Sequence, residues 1–332
     1  MNRILRLIIT LAFVSVFFFN FFVEDCYSVP TLNINQVYTP AGGPVVGPIT
    51  DYCSYGDDCD IYAESYNAYG AAKGGLKVSN GLEMKSFAYG KNSPYGSAVS
   101  RLSMTDAFTL NTISGLSNTT YSAVQSYIFD GSLFVPYVEN DQALASVSFN
   151  ISGNQYGLNS ASYGFRLLAS YDSRDNADVY GLSVTTSGDS TLLNMASQTD
   201  VFDPDIGLLG RQFHWDNISV GLLLEDFQAD TQTSVNIGLT TQVSGYGGRS
   251  DFFNTFATDT DAPFAITEGP EGVLYQLTTP GATGYDGKSL FGSVELNEEI
   301  LSAPSSVPIP GTFWLLGSCL IGIAGFRRKF KN

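Results

Sequence analysis

Beyond Asn80 the chain is a succession of short segments in which apolar and polar residues alternate, separated by Gly, Asn and Asp. Between Ala143 and Ile151 the pattern is plain: Ala145, Val147, Phe149 and Ile151 alternate with Leu144, Ser146, Ser148 and Asn150. Successive strand side chains point to opposite faces, so such a segment offers one apolar face to a core and one polar face to water. The same texture, rich in Val, Tyr, Phe, Thr and Ser, predicts strands over Ala98–Leu110, Tyr121–Phe129, Ser132–Tyr137, Ala143–Ile151, Tyr163–Tyr171, Asp178–Thr185, His214–Leu224, Thr231–Val243 and Ser289–Leu296. No long stripe of 3.6-residue period lies between the termini, and only Thr191–Gln198 suits a turn or two of helix. Strands at this spacing, without a strand–helix–strand rhythm, predict an all-β domain of antiparallel sheets, a β-sandwich or jelly roll, with a closed barrel as the alternative.

The two ends break the pattern. Arg3 and Arg6 precede an apolar run from Leu7 to Val23, which predicts a secretory signal peptide over residues 1–28, cut before Val29. Residues 29–50 carry Pro40, Pro44, Pro48 and several glycines and are expected to form an irregular leader. The β domain is expected over 51–300, followed by a linker over 301–310 and a C-terminal transmembrane helix with a basic stop over 311–332. The uncharged run Gly311–Phe326 would reach about 24 Å as a helix at 1.5 Å per residue, enough for a thin bilayer. Trp314 lies near its outer end, and Arg327, Arg328, Lys329 and Lys331 mark the cytoplasmic side. Basic residues outside both apolar segments put both termini in the cytoplasm and the body across the membrane.

Val307, Pro308, Ile309 and Pro310 stand just before the apolar run. Two prolines at alternate positions fix φ and remove two backbone donors, so this stretch stays extended and open to an enzyme. The tetrapeptide, the Leu- and Gly-rich span Trp314–Gly325 and the Arg327-Arg328-Lys329 stop resemble the C-terminal sorting signal of PEP-CTERM proteins. The family often has Val-Pro-Glu-Pro where this chain has Ile309 in third place. The resemblance implies an exosortase as processing partner. It further implies export in a Gram-negative bacterium, transient anchorage in the inner membrane, and a final place at the cell surface or in the exopolysaccharide matrix. Tyr69-Gly70, Gly75-Leu76-Lys77, the Ser244–Gly248 turn and Asp251–Phe256 are similar to recurring phrases in the family's surface proteins, and they transfer no catalytic residue.

Charge narrows the partners further. Six of the 16 Lys and Arg and two of the 32 Asp and Glu lie in the terminal segments, leaving 10 and 30 and a formal charge of −20 on the mature body. Such a chain repels nucleic acid and anionic head groups and suits neutral polymers or cations. Of four cysteines, Cys53 and Cys59 remain in the body, and in an oxidising compartment they are expected to close a small disulfide loop.

The candidate chemistry is sparse. His214 is the single histidine, and no Gly-x-Ser-x-Gly elbow accompanies it. Glu225 and Asp226, or Glu295, Glu298 and Glu299 near the linker, are the carboxylates available for glycoside hydrolysis, but neighbours on a strand are expected to face opposite ways. No catalytic residue is assigned, and the chain reads as a non-enzyme with no required cofactor. Calcium is the candidate cation, with Asp57, Asp58, Asp60, Asp259 and Asp261 as oxygen donors on turns, and Asp203 and Asp205 flanking Pro204. Tyr52, Tyr55, Tyr62, Tyr66 and Trp215 are the candidate carbohydrate-binding residues, since exposed aromatics combine an apolar face with a polar tip. The expectation is a structural or adhesive surface protein of the exopolysaccharide matrix; the alternatives are a calcium-assisted carbohydrate-binding module and a glycoside hydrolase.

Overall fold

In the computed structural model the described residues are 31–39, 44–52, 59–79, 81–91, 93, 95–113, 119–174, 179–186, 191–258, 264–278 and 300–302. They form antiparallel strands almost throughout. The strands run β1 (Thr31–Tyr38), β2 (Ile49–Tyr52), β3 (Cys59–Asn67), β4 (Gly70–Ser79), β5 (Gly81–Gly90), β6 (Ala98–Thr112), β7 (Thr120–Pro136), β8 (Gln142–Asn154) and β9 (Ser160–Asp172). After β10 (Val179–Thr186) comes a five-residue helix, α1 (Thr191–Met195), inside the stretch expected to be helical. The chain continues through β11 (Ser197–Asp203), β12 (Leu208–Gln228), β13 (Gln232–Gly245), β14 (Gly248–Thr258), β15 (Phe264–Glu268), β16 (Leu274–Thr278) and β17 (Ile300–Ser302).

Two sheets share these strands. The first has the order β10-β9-β8-β13-β6-β1-β2, with β16 on the free length of β6 and β17 beside it; the second has β11-β12-β7-β14-β5-β4-β3, with β15 on β7. The sheets lie face to face, and their inward side chains make one apolar layer that includes Leu102, Met104, Phe129, Val147, Phe149, Phe165, Trp215, Leu239 and Phe252. Phe129 of β7 meets Phe165 of β9 edge-on at 5.0 Å and stacks on Phe252 of β14 at 4.9 Å. Two polar ties cross the layer, Ser86 Oγ with Thr241 Oγ1 at 2.8 Å and Ser250 Oγ donating to the Ser146 carbonyl at 2.9 Å. A buried hydroxyl needs such a partner.

The alternation at Ala143–Ile151 behaves as expected: Ala145, Val147, Phe149 and Ile151 are buried along β8. Three expectations change. Residues 31–38 of the supposed leader form β1, because Leu32, Ile34 and Val37 bury against the core while the strand pairs with β6. Pro44 and Pro48 are confined to the connection leading to β2, where no ladder donor is needed. The expected strands Tyr121–Phe129 and Ser132–Tyr137 are one 17-residue strand, since Gly131 continues β7 rather than turning it. The third is an addition: the run Cys59–Gly90, inside the expected β domain but without a predicted strand, is three strands, its Gly and Ala content blurring the alternation. The strand expected over Ser289–Leu296 lies outside the described residues, as do residues 1–30 and 303–332, with the signal peptide, the sorting tetrapeptide and the C-terminal helix. Among the described residues no helix is long and apolar enough to cross a membrane.

The Ser244–Gly248 turn is a corner that carries the chain from the first sheet to the second. Gly245 and Gly247 take φ of 82° and 98°, and a Cβ on either would meet a carbonyl oxygen at 2.2 or 2.6 Å, Gln142 O and Gly90 O respectively. Gly131 serves packing instead. A Cβ there would fall 2.2 Å from Phe252 Cδ1 and 2.6 Å from the Asp251 carbonyl. Gly131→Ala is therefore expected to displace Phe252 from Phe129 and lower stability by about 1–3 kcal/mol, read as a lower urea midpoint with an unchanged slope.

Candidate functional site

Edge strand β3 presents the tyrosines of the candidate carbohydrate set. Ile61, Ala63 and Ser65 are buried, so Asp60, Tyr62, Glu64 and Tyr66 all stand on the outer face, with Tyr62 49% and Tyr66 70% exposed. Register extends this face across the sheet: Tyr62 lies beside Gly75 and then Lys85, Glu64 beside Lys73 and Phe87, and Tyr66 beside Ala71 and Tyr89. Gly75 offers no side chain, and the Tyr62 ring lies over it, 3.6 Å from where a Cβ would be. Across that floor Tyr62 meets Phe253 of β14 edge-on, with centroids 6.3 Å apart. The Tyr62 hydroxyl donates to Glu64 Oε2 at 2.9 Å. Partial burial, then that bond and the carboxylate charge, push the Tyr62 phenol up to about 12, so it stays a donor at neutral pH.

The remaining residues of that set separate. Tyr52 ends β2, in the other sheet, and Tyr55 lies outside the described residues. Trp215 does not belong to a binding surface: it is fully buried, 6.2 Å from Phe129 and 6.3 Å from Phe252, and its Nε1 donates to the Leu192 carbonyl at 2.9 Å. The alternation of β12 turns Phe213 and Trp215 inward and leaves His214 exposed. That alternation was visible in the sequence; which of its two faces met the core was not.

The acids are also redistributed. Asp60 is exposed on β3, whereas Asp57, Asp58, Asp259 and Asp261 lie outside the described residues, as does Cys53, the expected partner of Cys59. Among the described residues no three His, Cys, Asp or Glu come together to hold a metal ion. Asp203 and Asp205, weighed as calcium ligands, are instead claimed by Arg249 of β14 at 2.9 and 2.7 Å. Asp203 Oδ1 also accepts the backbone N–H groups of Asp205 and Ile206, which shapes the turn between β11 and β12. This turn folds over the outer face of its sheet, where Tyr89, Phe134 and Ile206 form a small second cluster. The Arg249 guanidinium lies 5.7 Å from the Tyr89 ring centre, and the Tyr89 hydroxyl donates to the Asp205 carbonyl. Burial first, then the two carboxylates, push that phenol up to about 12.

Two carboxylate or triad arrangements can be judged by position. Glu225 and Asp226 were expected to face opposite ways, but a bulge between Leu224 and Phe227, with Asp226 at φ 54°, leaves both exposed. His214, Ser132 and Asp251 share one cross-strand row, with Ser132 in the middle. A triad needs the imidazole between nucleophile and carboxylate, and the Asp251 carboxylate here accepts the Phe253 N–H at 3.2 Å.

A cluster that the sequence did not signal closes the open side between β10 and β11. Tyr137, Tyr171 and Tyr180 pack at 4.6–5.7 Å, Arg211 lies 4.5 Å over the Tyr180 ring, and Arg211 Nε donates to Asp200 at 3.0 Å. Its members come from both sheets and satisfy one another, so it works as a clasp.

Comparison of this chain with family models, with curated proteins and with solved structures finds no match. Arg249→Met leaves the buried Asp203 without its cation and is expected to cost about 1–3 kcal/mol, seen as a lower melting temperature that Lys91→Met, at an outer loop, does not reproduce.

Proposed function

We propose that this chain is an exported, non-enzymatic β-sandwich protein that an exosortase recognises at Val307–Pro310 and passes to the cell surface or exopolysaccharide matrix, where it has a structural or adhesive role. The observation that carries this reading is the fixed order of tetrapeptide, apolar span and Arg327-Arg328-Lys329 stop at the C-terminus, with a signal-peptide pattern at the other end. The all-β body supports it: an apolar layer buried between antiparallel sheets lets about 270 residues fold as one unit outside the cell, with the Cys53–Cys59 disulfide as a further expected staple. The test is the intact mass of the protein from the native host's surface fraction, beside a chain carrying Pro308→Ala and Pro310→Ala. The native form is expected to end near Pro310 and the variant to keep its apolar tail; retention of Asn332 by both would remove the sorting reading.

A second reading is favoured by one observation, the outer aromatic face on which Tyr62 and Phe253 meet across Gly75 and Tyr66 stands farther along β3 beside Ala71. Rings exposed on a flat sheet face, with Glu64, Lys73 and Lys85 beside them, suit the stacking and hydrogen bonding of a neutral polysaccharide. Such contact would be the adhesive function itself. Tyr62→Ala with Tyr66→Ala is expected to reduce retention on the host's purified exopolysaccharide about tenfold, the loss of roughly 1.4 kcal/mol, while the melting temperature stays within a degree or so because both side chains are exposed. Equal retention of variant and parent would move adhesion to another surface.

A further inference from the structure

The end of the molecule from which the chain leaves can be located. β17 pairs with β16 so that Ser302 lies beside Leu274, and Tyr275 lies beside Thr112, the last residue of β6. The chain therefore departs at the C-terminal end of β6. The turn joining β12 to β13 and the turn joining β8 to β9 lie at this same end, and Gln155 locks them together through the Gln228 carbonyl at 2.8 Å and the Thr233 hydroxyl at 3.1 Å. β1 also enters from this direction, since Thr31 pairs with Thr105 and Tyr38 with Val99.

Among the described residues this rim exposes four large apolar side chains. Tyr156 is 99% exposed at the tip of the β8–β9 turn, with Leu158 beside it, while Ile113 and Leu274 stand where the Ile113 N–H donates to the Leu274 carbonyl. Three strand spacings, about 14 Å, separate the two pairs. Exposed apolar groups also occur at the far end, among them Tyr95, Phe202 and Leu209. Length decides between the two ends. From Ser302 to Gly311 an extended chain spans at most about 32 Å, whereas β6 alone, 15 residues long, rises about 45 Å from its far end to the exit. The tether is too short to bring the far end to the bilayer from which it starts.

We propose that the exit rim, led by Tyr156, Leu158, Ile113 and Leu274, is a membrane-contacting surface that seats the body end-on against the outer face of the bilayer before release. The surface it fits is a zwitterionic one: Asp226, Asp230 and Glu271 are exposed at the same end and repel anionic head groups. A phenol and three aliphatic chains suit the interfacial layer, where amphipathic rings lie at head-group level. This seating holds Val307–Pro310 close to the membrane, within reach of an enzyme embedded there. The proposal rests on the reading of Gly311–Phe326 as a membrane helix.

The test uses the full chain in phosphatidylcholine vesicles with brominated acyl chains, which quench tryptophan on contact. The native protein has two tryptophans, Trp215 in the core and Trp314 in the tail, so quenching of Trp314 reports tail insertion directly. In a Trp314→Phe background, Tyr156→Trp is expected to be quenched about twofold or more above Tyr95→Trp at the opposite end. Quenching of Trp314 without quenching at 156 overturns the rim and leaves the inserted tail standing. Equal quenching at 156 and 95 also overturns it, because the body would then lie on the bilayer without a preferred end. An unquenched Trp314 removes the tail reading and the rim with it.

Discussion

The packing of the two sheets depends on the ring of Phe129, which stacks on Phe252 of the neighbouring strand at 4.9 Å and 25° between the rings. Phe165 approaches Phe129 edge-on from the opposite sheet and Trp215 lies against both stacked rings, so four strands converge on one aromatic group. The backbone has been bent to admit it. β12 bulges between Trp215 and Ile218 and β14 between Phe252 and Phe256, both beside Gly131, whose missing side chain is the space the Phe252 ring fills. Bulges sharpen local twist and re-aim side chains, and here they aim rings of different size into a single layer. Gly74 makes a comparable allowance nearer the edge, where a Cβ would crowd Leu102 Cδ2 at 2.7 Å and Ser100 Oγ at 2.9 Å from the facing sheet.

These allowances explain what the sequence could and could not convey. Strands with a long, regular alternation, such as β8 and β13, were legible almost to their ends because period-two patterning is what a half-buried strand requires. Asp130-Gly131 separated two expected strands because a break between strands and a close ring contact both ask for glycine. β1 was hidden by prolines that lie beyond its last paired residue, and β4 by the small residues that let the sheets approach. On the candidate site, the crowding of Tyr62 and Tyr66 was visible in the sequence but the strand that turns both outward was not, and the fate of Trp215 depended on which face of β12 met the core. The capture of Asp203 and Asp205 by Arg249, some forty residues later, is a product of tertiary packing, and no local signal announces it.

Polar groups inside the layer reinforce the same arrangement. Gln155 uses both ends of its amide, accepting from the Gln228 N–H and donating to the Gln228 carbonyl and the Thr233 hydroxyl, and so joins turns that belong to different sheets. Apolar contact is tolerant of sliding; a buried amide with three satisfied partners is not, because a shift would strand them without water. At the far end the Arg249–Asp203 pair works within one sheet, on its outer face, where it holds the β11–β12 turn down over Tyr89 and Phe134. Gln155 at one end and the Ser86–Thr241 and Ser250–Ser146 ties within the layer hold the register that the aromatic group alone would leave loose.

A stack of two open sheets leaves edges, and open edges invite pairing with other chains. Several outer strands are short: β2 has four residues, β11 seven and β10 eight, against 17 in β7, which lies inside its sheet. Edge strand β3 is longer, with nine residues, but it carries Asp60 and Glu64 on its outer face, and β11 carries Asp200. A body with a formal charge of −20 brings those acids against like charges whenever two copies approach edge to edge. That acidity opposes edge-to-edge pairing of the sheets of two copies, and it leaves the ring-bearing Tyr62–Tyr66 face, where Lys73 and Lys85 stand beside Glu64, and the apolar side chains of the exit rim as the places where a close contact is least opposed.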